Sequence, residues 1–86
     1  MRARVFVTLK KGVLDPQGKA VHEALESLHY TGVGSVRVGK LFELSLEDKP
    51  EAQAMAELRT MCEQLLANTV IEEYQIELLP AAGGRS

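Results

Sequence analysis

Residues 35–47, Ser35-Val36-Arg37-Val38-Gly39-Lys40-Leu41-Phe42-Glu43-Leu44-Ser45-Leu46-Glu47, set the tightest limit on how this chain can fold. Val36 and Val38 share one parity, and Phe42, Leu44 and Leu46 continue it through Gly39-Lys40. Alternation of period two places such residues on one face of an extended strand. Two structures fit. A tight hairpin at Gly39-Lys40 would give a β-α-β-β-α-β order with a very short first arm. A single strand over 35–47, bent at Gly39, would run about 43 Å at strand rise. That length outgrows a domain of 86 residues, so part of it would have to pair with another copy, a segment exchange. The unbroken parity across Gly39 favours the long strand; the hairpin stays open.

The flanking elements read clearly. Residues 3–10 alternate, with Ala3, Val5, Val7 and Leu9 on one side and Arg4, Phe6, Thr8 and Lys10 on the other, a half-buried strand. Phe6 is the exception on the polar side and calls for cover from a partner or from the chain's own tail. Asp15-Pro16 then marks a strand-to-helix junction: Asp15 can accept from free amides of the first turn, and Pro16 suits the first helical position. Val21, Ala24, Leu25 and Leu28 form an apolar stripe on a helix over 16–29. Gly18 in its first turn costs up to about 1 kcal/mol relative to Ala, which a close backbone contact would explain. Thr31-Gly32-Val33-Gly34 ends the element. A second helix is expected over 50–67, with Asp48 as candidate cap, Asn68 as left-handed terminator and a broad face of Met55, Leu58, Met61, Cys62, Leu65 and Leu66. Residues 70–79 alternate as a last strand, and 81–86 read as a flexible tail on a single domain spanning 1–80. The expectation is an α+β fold, two helices on one face of a mostly antiparallel sheet, of ferredoxin-like topology.

Chemistry is scarce. A net charge of −2, scattered basic residues and only four Phe and Tyr argue against nucleic acid as a partner. No apolar run approaches the ~20 residues of a membrane span, and a lone Cys62 excludes an internal disulfide. The cytoplasm is the expected location. Gly32-Val33-Gly34 lacks the further residues of a phosphate-binding loop. His22 and His29 lie seven apart, about 10 Å along a helix axis, too far to share a metal. Cys62 sits mid-helix among apolar rows and reads as a small core residue rather than a nucleophile. The carboxylates Glu43, Glu47, Asp48, Glu51, Glu72, Glu73 and Glu77 read as a solvated rim. A chain this short, with no nucleophile–base pair at readable spacing, is not expected to hold an active site of its own.

Three segments together resemble one family: Leu9-Lys10-Lys11-Gly12-Val13-Leu14-Asp15-Pro16-Gln17-Gly18, the stretch 33–44 (VGSVRVGKLFEL) and the stretch 65–78 (LLANTVIEEYQIEL). They are similar to the PurS family, small subunits of phosphoribosylformylglycinamidine synthase in purine biosynthesis. The likeness spans almost the whole chain in order. It departs at 29–32 (HYTG), where the family implies a Leu-Gly-like turn. The resemblance implies a non-catalytic subunit of a glutamine-dependent, ATP-consuming ligase complex. Its partners would be a PurL-type synthetase subunit, expected to carry ATP and Mg, and a PurQ-type glutaminase subunit, with ammonia passing between them. It implies no cofactor in this chain, similarity to an internal connector of the larger single-chain enzymes, and dimers or higher oligomers with exchanged segments. Arg37, Gly39 and Lys40 are the first candidates for an assembly surface, and Gly12 through Asp15 the second. A different reading is an ACT-like regulatory module that binds a small ligand between subunits.

Overall fold

A computed structural model describes residues 1–79. The chain runs β1 (Arg2–Leu9), α1 (Pro16–Ser27), β2 (Gly39–Ser45), α2 (Glu51–Met61, continued by one wide turn over Cys62–Leu66) and β3 (Glu72–Leu79). The expected tail at 81–86 lies outside the described residues. The three strands form one sheet in the order β2-β1-β3, antiparallel throughout. The α+β class and the antiparallel sheet are thus as expected.

The alternating strand at the start becomes the centre of the sheet because it can be covered on both edges. Val5 lies opposite Phe42 on one side and Ile76 on the other. Ala3, Val5 and Val7 are buried on the face that α2 covers with Ala54, Leu58 and Cys62. The second face stays open, with Phe6 41% exposed on it. Arg4 there lies 3.6 Å from Glu43 and 3.2 Å from Glu77, an ion-pair row across all three strands.

Several local expectations are corrected. α1 ends at Ser27, before the glycines. The amide of Tyr30 donates to the Leu25 carbonyl at 3.0 Å and that of His29 to the Glu26 carbonyl at 2.9 Å, with His29 at φ 73°. This is the left-handed helix end usually filled by glycine. Here His29 stands in it, at the place where 29–32 departs from the family. Asp48 does not cap α2; it pairs with the Met1 amine at 2.9 Å, and Pro50 precedes the helix without a side-chain cap. Asn68 is not left-handed: its side chain accepts from the Val70 amide at 3.2 Å in a local turn. The wide turn closes with the Ala67 amide on the Cys62 carbonyl at 3.0 Å, five residues back. The extra residue rotates the chain beyond it, so Leu66 and Ala67 reach the core while Leu65, expected inside, is 81% exposed.

The largest difference concerns 35–47. Gly39–Ser45 pairs with β1, whereas 35–38 pair with no strand among the described residues. No hairpin forms at Gly39-Lys40, because both residues already belong to β2 and Gly39 has no left-handed φ. Gly39 serves a close approach instead: a Cβ there would lie 2.5 Å from the Val7 carbonyl oxygen. α1 lies away from its own sheet, so within one chain only α2 lies on the sheet as expected. Val21 is 42% and Leu28 65% exposed. The radius of gyration is 16.6 Å, against about 12 Å for a compact domain of this length.

Candidate functional site

The end of β1, the start of α1 and the start of β2 meet at one corner. After Leu9 the chain turns, with the Val13 amide on the Lys10 carbonyl at 3.1 Å. Gly12, at φ 88°, supplies the left-handed step that this turn requires. Asp15 follows in extended backbone and caps α1: its Oδ1 accepts from the Gly18 amide at 2.8 Å. Its Oδ2 accepts from the Val38 amide at 2.9 Å. The Val38 bond first, then the Gly18 bond, and further the Arg37 charge hold the Asp15 carboxyl below its ordinary range. Gly18 is buried with its α-carbon facing the Val36 carbonyl, where a side chain would overlap that oxygen and the Asp15 carboxylate. The close contact that its position in the sequence called for is therefore present.

Beside this joint lies a cleft of about 260 Å³, lined among others by Thr8, Asp15, Gln17, Gly39, Lys40 and Glu72. Lys40 is exposed, with its Nζ 3.8 Å from Glu72. Glu72 Oε1 also accepts from the Asn68 amide at 2.7 Å. Of the residues singled out from the sequence, Asp15, Gly39 and Lys40 line this cleft together. Arg37 is exposed and acts on Asp15 through its charge, and Gly12 shapes the approaching turn outside the lining. The sequence reading missed the backbone of Val36 and Val38, which carries no residue-type signal; Gly18 in a first helical turn was the clue that pointed there.

Reactive groups do not converge here. Cys62 is fully buried, and burial, with Glu63 nearby, pushes its thiol pKa up, the opposite of an activated nucleophile. His22 Nε2 lies 2.9 Å from the Val33 carbonyl and ties the loop after α1 back onto the helix, while His29 ends that helix. Among the described residues no three His, Cys, Asp or Glu side chains are grouped to hold a metal ion, and no helix is long and apolar enough to cross a membrane. What the corner offers is a rigid joint bearing an exposed guanidinium and an exposed ammonium.

Residues 2–80 match the sequence family PurS, phosphoribosylformylglycinamidine (FGAM) synthase. This chain belongs to the PurS family. It is 54% identical over 80 residues to the phosphoribosylformylglycinamidine synthase subunit PurS of Synechocystis, covering 93% of this chain and 80% of that one. Among solved structures it resembles Bacillus subtilis PurS, with TM-score 0.79 and 50% identity over 88% of this chain and 94% of that chain. It also resembles a chain of the structure of PurLQS from Thermotoga maritima, with TM-score 0.83 and 29% identity over 91% of this chain and 95% of that chain. Both segments that frame the corner, 9–18 and 33–44, are among those that carried the resemblance.

Proposed function

We infer that this PurS chain is the small, non-catalytic subunit of phosphoribosylformylglycinamidine synthase, working in purine biosynthesis in the cytoplasm. It bridges an ATP-dependent synthetase subunit and a glutaminase subunit and supports ammonia transfer between them. The observation that carries this reading is the match, over nearly its whole length, to a chain of the PurLQS structure. On this reading ATP and Mg belong to the synthetase partner, and this chain carries no cofactor.

Ammonia is small, uncharged in its reactive form and readily lost to water. Its transfer needs two active sites held in fixed alignment behind a sealed route, and a stiff sheet-and-helix wedge can hold that alignment without reacting. Arg37 and Lys40, exposed on either side of Gly39, are the proposed contacts to the partners, with Gly12 through Asp15 beside them.

The same reading includes self-association. Three features of one chain are incomplete: the open stripe of α1, the unpaired stretch 35–38, and the half-covered side chains Phe42, Leu44 and Leu46 on the β2 side of the sheet. A second copy supplies what each lacks, its α1 on the sheet and its 35–38 beside β2, so the occupant proposed is another copy of this chain.

The test is reconstitution. The chain is mixed with the synthetase and glutaminase subunits, with and without glutamine and nucleotide, and the mass of the assembly and the glutamine-dependent activity are read together. Both are expected to need this chain. Capture of neither partner under any of these conditions, or full glutamine-dependent activity without this chain, would falsify the reading. Charge reversal at Arg37 or Lys40 is expected to weaken assembly; intact assembly and activity in both variants would remove that corner from the interface.

A further inference from the structure

Asp15 makes two bonds to two different parts of the chain. Through Oδ1 it caps the first turn of α1, and through Oδ2 it holds the amide of Val38, the residue immediately before β2. The two attachment points are joined a second time by the close approach of Gly18 to the Val36 carbonyl, which leaves no room for a Cβ. Arg37 lies between the two held backbone positions and favours the charged form of the carboxylate. The first turn of α1 is therefore fastened to residues 36–38, and these run into β2 without reversing direction.

This fastening bears on the choice that the sequence left open at Gly39-Lys40. A hairpin there would swing 36–38 back along the outer edge of β2. That would draw them away from the first turn of α1, which the short turn at 10–15 keeps near the end of β1. Neither the Val38 bond nor the Gly18 contact would survive. We propose that Asp15 is a hinge lock: its carboxylate holds 36–38 in line with β2, and so keeps α1 off its own sheet and presented to a second copy. This rests on the reading that a second copy takes α1. Without the lock, α1 either swings freely and must be ordered on association, or closes onto its own sheet and removes the binding face. Both reduce self-association, the first through lost preorganisation and the second through the closed form that competes in segment exchange.

Two substitutions separate the lock from the helix cap. Asp15→Asn keeps the shape and one acceptor for the Gly18 amide, but turns its NH2 toward the Val38 N–H, donor against donor. Asp15→Ser caps a helix well and is too short to reach Val38. The full chain and both variants are compared by amide hydrogen exchange at Val38 and Gly18 and by light scattering over a dilution series, with Leu28→Glu on the open stripe as reference. The expected result in both variants is exchange at Val38 at least about tenfold faster and self-association at least about tenfold weaker, the loss of a hydrogen bond to a charged group, while Gly18 stays protected. Unchanged Val38 exchange overturns the proposal. Wild-type association of Asp15→Asn beside a monomeric Leu28→Glu overturns the lock alone. A Leu28→Glu chain that associates as the wild type does overturns the second-copy reading, and the lock with it.

Discussion

The two helices of this chain carry apolar rows of similar kind and meet opposite fates. α2 lays Ala54, Leu58 and Cys62 against the centre of the sheet and buries all three. α1 carries Val21, Ala24, Leu25 and Leu28 on one stripe and leaves Val21 and Leu28 in the open. The difference lies in what holds each helix. α2 is held by burial of apolar surface. α1 is held at its first turn by Asp15 and Gly18, and among the described residues its later turns make no comparable contact with the sheet. One half of the molecule is a closed core; the other is an arm on a joint. An amphipathic stripe indicates that a helix will be covered, and does not indicate by which chain.

The sharpest test of this division is a matched pair of truncations. Leu58→Ala empties a fully buried position and is expected to lower the unfolding free energy by about 2–5 kcal/mol. Leu28→Ala, at a position 65% exposed, is expected to change it by no more than about 0.5 kcal/mol in dilute solution while weakening self-association. Urea unfolding at two protein concentrations reads both, and a large loss for Leu28→Ala in the dilute chain would erase the distinction. Gly18→Ala comes next, because helix propensity and geometry predict opposite signs. Propensity alone gives a gain of up to about 1 kcal/mol; the overlap with the Val36 carbonyl and Asp15 is expected to turn it into a loss of about 1–3 kcal/mol. A gain on thermal melting would mean that the joint is looser than described. An effect smaller than that of Gly18→Ala is expected at the far end of α1. His29→Gly relieves a left-handed residue and should stabilise the chain by about 1 kcal/mol, with no change in how it associates.

pH divides the same two regions. The Asp15 pKa is depressed by its bonds from Val38 and Gly18, so its contribution is complete above the unfolded carboxylate pKa and is lost as pH falls through the folded value. Glu57 on α2 is depressed as well, first by the hydrogen bond from Lys49, and follows the same sign. Cys62 and Tyr74 run the other way. Burial raises the thiol and the hydrogen bond to Glu63 raises the phenol, so their contributions hold below the unfolded pKa values and fade as pH rises. Acid is therefore expected to release protection at the Val38 amide, and alkali to loosen the packing around Cys62. Hydrogen exchange and thiol labelling followed across pH read the two separately; early labelling of Cys62 in acid, before Val38 loses protection, would break the comparison.

Much of this was legible in the chain. The parity of 3–10 and 70–79 located two strands, Asp15-Pro16 located the start of α1, and Gly18 signalled a close approach whose partner only the fold revealed. The errors cluster where a backbone atom or a remote group decides. Asp48 has the chemistry of a cap, but the Met1 amine lies within 2.9 Å and takes it. Leu65 fits the 3.6-residue period of α2, but one wide turn shifts the phase beyond Cys62. Gly32 and Gly34 have the chemistry of a helix end, but backbone bonds from His29 and Tyr30 close α1 before the chain reaches them. At the corner, Arg37, Gly39, Lys40 and Asp15 could be named from residue type; that Asp15 reaches Val38 could not, because an amide looks the same in every residue but proline.

The order of residues by itself determined the class of fold, the places of strands and helices and the family, because periodicity, capping chemistry and motif spacing are local properties of the chain. The tertiary structure decided the direction of α1. Whether the stretch 35–38 turns back or runs straight depends on one carboxylate meeting an amide 23 residues away, and contacts between distant segments are set by how the chain packs rather than by what its neighbours in sequence prefer.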